Sequence, residues 1–329
     1  MKKLAYVTNT DSNDISVIDV AEQKELGRIP IGGSPRGCMI IDPKGNYGYV
    51  SNCAGNSVSV VDLLEDKEVT RIVVGLAPRG VAMTPDSKYL FVSNSGSDDV
   101  SIIDLERRQE VSRIEVGSNP RALSITPNGK YACIPLWGDD AVAIIEIKDD
   151  IMTSKVVSRI SLGQDAKPYH ACVDWDNEHL YTANTHRHTL SVINLNDLAL
   201  IKEVPIGFGP RGVLPDPADH YVYVSCEASN AVSVVDKNMW KEEKQIAVGP
   251  TPRGMKIDEV ERTLYVTAFA RTIEAPHLEK ANALSVIDLN VKEAVGVIKT
   301  GLGPCSVNIY DPALFGKVES ENKEVSVNG

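Results

Sequence analysis

Five arginines recur in one local setting, and five guanidiniums brought together would form an anion-binding device. They are Arg36, Arg79, Arg121, Arg211 and Arg253, each directly after a proline and, except for Arg121, directly before a glycine. A guanidinium carries a fixed charge and a planar fork of donors that matches carboxylate and phosphate. Two further copies of this word lack the arginine. They read Lys167-Pro168-Tyr169-His170 and Gly303-Pro304-Cys305-Ser306. Histidine titrates near neutrality, so His170 and His186 are the candidate acid–base groups. Cys305 stands at an arginine position, where neighbouring positive charge would favour a thiolate, although a thiol inside a repeat reads first as filler. By residue type, His170, His186, His188, His277 and Glu227 could hold a divalent metal. No His-Glu-x-x-His or comparable spacing is present, so a metal is compatible with the sequence and not required by it. There is no Gly-x-Ser-x-Gly elbow, phosphate-binding loop or dinucleotide fingerprint.

These residues sit in a chain of repeats. Tyr6-Val7-Thr8-Asn9 returns as Tyr49-Val50-Ser51-Asn52, Phe91-Val92-Ser93-Asn94, Tyr181-Thr182-Ala183-Asn184, Tyr223-Val224-Ser225-Cys226 and Tyr265-Val266-Thr267-Ala268, with Cys133-Ile134-Pro135-Leu136 as a degenerate copy. A second marker, Ser16-Val17-Ile18-Asp19, places an acidic residue or asparagine at 19, 62, 104, 146, 194, 236 and 288. That makes seven units of about 42 residues. The third unit predicts four strands: Arg79 to Thr84, Tyr89 to Ser93, Val100 to Leu105 and Glu110 to Val116. Its second and third strands are almost continuously apolar, as strands covered on both faces should be. The fourth alternates, as an outer strand should. Four strands in a repeat of this length predict one propeller blade, and seven blades close into a ring. The chain opens on a second strand near Leu4 and ends its pattern with a first strand, Ser306 to Tyr310. One blade is therefore expected to be assembled from both ends. The expected organisation is one all-β propeller domain over 1–312, with a polar tail over 313–329.

The Tyr-Val-Thr-Asn words, the Ser-Val-Ile-Asp runs and the Pro-Arg-Gly turns resemble the YVTN family of seven-bladed β-propellers over residues 3–312. The resemblance implies the fold. It implies no particular reaction, because the same architecture resembles surface-layer repeats, the haem d1 domain of nitrite reductase, lactonases and streptogramin lyases.

In such a ring the first strands line a central channel, and the Pro-Arg-Gly turns meet at one end, the top. Neighbouring guanidiniums there repel by about 2 kcal/mol per pair before screening, at ~8–10 Å and an effective dielectric near 20. Channel water, backbone carbonyls, carboxylates or an anionic ligand must offset this. The repeat breaks in three places. Four extra residues lie near Lys148 to Thr153 at the bottom. Two lie between Gly163 and Tyr169 on top. Ten lie within Phe269 to Asn282, also on top, bringing Arg271, Glu274 and His277. Loops that depart from a repeat carry function. The expected site is thus the top of the channel beneath units 5 to 7. The arginines would hold an anion, and Tyr169, Trp137, Glu227, Cys305, Arg271 and His277 would shape the pocket.

Composition narrows the partners. A net charge of −11 disfavours nucleic acid and anionic membranes. No apolar run is long enough to span a bilayer. The six cysteines form no CxxC pair and read as reduced, which points to the cytoplasm; a secreted chain whose signal had been removed would read the same. Trp175 and Trp240 read as packing residues. The expected function is binding of a small carboxylate or phosphate ligand, with lyase or hydrolase chemistry the expected class. The alternative is a non-catalytic scaffold for a protein partner, in which the arginines only brace the blades.

Overall fold

The computed structural model describes residues 2–37, 39–269 and 279–312. They form seven four-stranded antiparallel sheets arranged as the blades of a propeller. In blade 3 the strands run Pro78–Met83, Tyr89–Asn94, Asp99–Asp104 and Gln109–Glu115, from the channel outward. The ring closes as its phase predicts: Pro304–Tyr310 pairs with Leu4–Asn9, and Val7 lies opposite Val307. The first strands of blades 2 and 4 are shorter than expected, Ile40–Ile41 and Ser124–Ile125. Their Pro-Arg turns instead reach the second strands through single bridges, Pro35 to Asn52 and Pro120 to Leu136.

The repeat words have separable physical jobs. The Ser or Thr of the second strand reaches the next blade. Ser51 Oγ donates to the Arg79 carbonyl at 2.8 Å, Ser93 Oγ to the Arg121 carbonyl at 2.6 Å and Ser225 Oγ to the Arg253 carbonyl at 2.6 Å. The glycine after the arginine allows the close approach this needs. A Cβ on Gly80 would lie 2.8 Å from the Ala122 Cα and 2.9 Å from the Arg121 carbonyl oxygen. The asparagine ending the second strand ties its own hairpin, as Asn94 does by donating to Asp99 and Ser101.

The residue closing the next turn sits in the left-handed region and receives a backbone N–H from 21 residues ahead. Asn56 accepts from Ala77, Asn230 from Thr251 and Asn282 from Gly303. His188 does the same through Nδ1, accepting from Gly209 at 3.1 Å. It therefore serves as a turn residue. The acidic marker caps the turn before the fourth strand, where Asp62 accepts from the amides of Leu64 and Glu65. In blade 4 the marker is Glu146, whose longer side chain pairs with Lys148 instead. The extra residues form a 310 turn, Ile151–Thr153, capped by Asp150.

The core is divided between blades, each cluster lying between two neighbouring sheets. Trp240 packs against one cluster, but Trp175 is 58% exposed. Trp175 occupies a bottom-face turn beyond the end of its strand, so the expectation of packing is corrected. No described helix is long and apolar enough to cross a membrane. The expected tail, 313–329, lies outside the described residues.

Candidate anion site at the channel mouth

The first strands surround a central cavity of about 400 Å³. Arg36, Arg79, Arg211, Arg253, Tyr169, His170 and Cys305 line it. Arg121 stands beside them, close enough to Arg79, Arg211 and Arg36 to feel their charge. Burial first, and then these like charges, lower its pKa to about 10.

How the guanidiniums are satisfied differs around the ring. Arg79 Nε donates to Ser95 Oγ at 2.9 Å. Arg211 Nε donates to Glu227, whose other oxygen lies 3.6 Å from Arg253 Nη2. One carboxylate thus sits between two cations. Arg253 is 3% exposed and stacks 4.0 Å above the Phe269 ring. Its Nε, Nη1 and Nη2 make no full hydrogen bond to a described oxygen or nitrogen, and neither do Arg36 Nε and Arg121 Nε. Burial works against the Arg253 charge, but Cys305, Tyr169 and Glu227 beside it raise its pKa. Leaving buried charged donors unpaired is costly. Arg79, Arg121 and Arg253 do brace neighbouring blades, but through the backbone carbonyls described above. Among the described residues, none of these five guanidiniums donates to a neighbouring blade's carbonyl.

Blade 5 departs from the ring, as the sequence indicated. Tyr169 fills the gap between two cations, with Arg211 4.5 Å and Arg121 5.4 Å from its ring centre. Trp137 extends the same wall, 4.9 Å from Arg121 and edge-on to Tyr169 at 5.9 Å. Aromatic faces replace what would have been a repelling charge. His170 occupies a glycine position, and its Nδ1 accepts the Val213 N–H at 3.0 Å. The ring faces the lumen yet is surrounded by protein, and burial lowers its pKa to about 4. At neutral pH it is an uncharged imidazole carrying its proton on Nε2, a donor toward the cavity. His186 lies at the surface beside the mouth. Its Nδ1 is 3.0 Å from Asp165, and its ring meets Trp137 edge-on at 5.5 Å.

Cys305 is 7% exposed and donates its thiol to the Arg36 carbonyl at 3.2 Å, so it continues the inter-blade brace. Burial raises the pKa of Cys133 and pushes Cys172 and Cys226 up to about 12, well away from thiolate chemistry at neutral pH. The five described cysteines are unpaired. Among the described residues no three His, Cys, Asp or Glu side chains are grouped to share a metal. Arg271, Glu274 and His277 fall within 270–278, outside the described residues. Sequence reasoning missed Ser95 and Asp165, and it named Phe269 only as the first residue of a pocket-shaping loop, not as the ring beneath Arg253. Asp165 had a legible signal, since it lies inside the two-residue loop extension.

Two family models match parts of the chain. The cytochrome D1 heme domain matches residues 1–106, and the lactonase, 7-bladed beta-propeller matches 117–271. No curated protein matches in sequence. Among solved structures, Kuenenia stuttgartiensis hydrazine synthase is 23% identical, with a TM-score of 0.67 over 82% of this chain and 88% of that one. A Bacteroides uniformis protein assigned as a 6-phosphogluconolactonase is 14% identical, with a TM-score of 0.77 over 94% of this chain and 100% of its own. The dihydro-heme d1 dehydrogenase NirN, solved in complex with DHE, is 15% identical, with a TM-score of 0.65 over 95% and 76%. The chain is a seven-bladed propeller like these. At such identities the likeness extends to the fold, and the YVTN name rests on the repeat words.

Proposed function

We propose that this propeller binds a small carboxylate- or phosphate-bearing molecule at the mouth of its channel. The observation that carries this is Arg253, 3% exposed and lining the cavity, whose guanidinium makes no full hydrogen bond to a described oxygen or nitrogen and whose nearest carboxylate, Glu227 at 3.6 Å, is shared with Arg211. Arg36 and Arg79 reach the same cavity, and Arg121 stands beside it with its Nε unpaired. An anion there would supply the missing acceptors and offset the mutual repulsion of the ring. His170 Nε2–H would donate to the same ligand. A thermal-shift panel of dicarboxylates, sugar phosphates and divalent metals tests the reading. Polyanions should raise the melting temperature of the wild type and leave an Arg36→Met/Arg253→Met double variant unmoved. The reading is discarded if no anion shifts either protein.

A second reading, hydrolysis of an ester or lactone in the bound anion, is favoured by the His186–Asp165 pair beside Trp137. With Asp165 accepting from Nδ1–H, the His186 Nε2 can take a proton from water attacking the carbonyl. The similarity to a lactonase family model and to a protein assigned as a 6-phosphogluconolactonase makes phosphorylated sugar lactones the first substrates to try. Asp165→Asn should lower kcat by about two orders of magnitude with little change in KM. Equal rates in the two proteins would reject His186 as the base.

A further inference from the structure

Below the arginines the character of the cavity changes. The first strands descend from the mouth, and two to four residues along them, about 7–13 Å deeper, the lining includes Ile40, Met83, Ile125, Leu214 and Met255. Each packs one side against the core between the blades, and none is fully buried, because the other side faces the lumen. The polar side chains lining this lower part, among the described residues, are His170, Ser124 and Ser306. A cavity lined this way gains little from a ligand that is polar throughout. It gains from one whose charge stays at the mouth and whose body removes these apolar surfaces from water.

We infer that the site takes an amphipathic anion, an aliphatic carboxylate or phosphate ester whose head group meets Arg36, Arg79 and Arg253 and whose apolar chain descends the channel onto Met83, Leu214 and Met255. This rests on the anion-binding reading above and adds the class of ligand. Two independent features converge on it. The head-group end holds a buried guanidinium, Arg253, that makes no full hydrogen bond to a described oxygen or nitrogen and shares the one nearby carboxylate, Glu227, with Arg211. The tail end holds half-buried apolar side chains turned toward an internal space. The neutral His170 lies between the two ends and adds no charge that would oppose entry of an apolar chain.

The test is calorimetric titration of the full chain with butyrate, hexanoate and octanoate, with the matching alkyl phosphates, and with citrate and inorganic phosphate as polar controls. Affinity should rise about fourfold per added methylene until the channel is filled, and the two series identify the preferred head group. Leu214→Asp and Met83→Asp should flatten the dependence on chain length while short anions still bind. Arg253→Met should weaken every member alike and leave the slope intact. Binding of citrate or phosphate with no dependence on chain length overturns this inference and leaves the anion site standing. A slope that survives both aspartate variants places the chain elsewhere and also overturns it. Absence of binding by every anion overturns both readings. The wild-type series decides the matter even if a variant fails to fold.

Discussion

In blade 3 the innermost corner holds Arg79 and Gly80; in blade 5 the same two positions hold Tyr169 and His170. The neighbouring-blade contact survives in both, by different means. Blade 3 presses glycine against the backbone of blade 4, leaving no room for a Cβ. Blade 5 inserts an imidazole that takes the Val213 N–H of blade 6. Blade 3 contributes a cation tethered to Ser95, while blade 5 contributes an aromatic face lying between two cations. A repeat that only packs would keep one solution. The exception lies where the aromatic wall, the neutral donor and the His186–Asp165 pair meet at the mouth.

The largest expected effect comes from forcing one solution into the other's place. Gly80→His should lose about 3 kcal/mol of stability or fail to fold, because its Cβ alone would meet the Ala122 backbone at 2.8 Å. His170→Gly should cost about 1 kcal/mol, the size of one lost hydrogen bond. Urea unfolding compares them, and equal losses would mean that the two corners are interchangeable.

Next is the pH response. The folded pKa of His170 lies near 4, below its ordinary value, so the unfolded chain binds the proton more readily between about 4 and 6.5. This contribution to stability is fully present above pH 6.5 and is lost as pH falls toward 4. Partial exposure to the lumen reduces it to about 2 kcal/mol. His170→Gln should lose less stability than the wild type on moving from pH 7 to pH 4. Parallel pH curves would show that the imidazole is not held neutral.

Glu227 gives the third test. It is the carboxylate between Arg211 and Arg253. Glu227→Gln should raise the affinity for an anion about tenfold, since it removes a competing negative charge close to the binding guanidiniums. Unchanged affinity would separate that pair of arginines from the site. The smallest effect is expected at Arg121. Burial and neighbouring cations hold its pKa at about 10, below that of a free arginine, so its charge opposes folding at neutral pH. Arg121→Met should therefore change stability by less than about 1 kcal/mol, and Arg211→Met, which loses the Glu227 bond, by more.

Much of this was legible in the repeat words. The arginine, glycine, serine and asparagine of each unit recur in register, so blade number, strand order and ring closure follow from counting. The two places where Pro-Arg-Gly fails, Tyr169-His170 and Cys305, were legible as exceptions. What each exception does was not. His188 reads as a possible ligand in a list of histidines, and only the left-handed turn and the Gly209 N–H show it standing in for asparagine. His170 reads as an acid–base group until burial and the Val213 bond hold it neutral. The arginines read equally as braces or as binders. Where the brace forms, at Arg36, Arg79, Arg121 and Arg253, it is carried by the carbonyl, which side-chain identity cannot reveal, and the guanidinium is not used for it.

The central claim is that these guanidiniums bind an anion. It is tested most directly by calorimetric titration of citrate at low ionic strength into the wild type and the Arg36→Met/Arg253→Met variant, with both confirmed folded. The account predicts saturable binding to the wild type that weakens at least a hundredfold in the variant. Equal binding to the two folded proteins, or none to either, would contradict it.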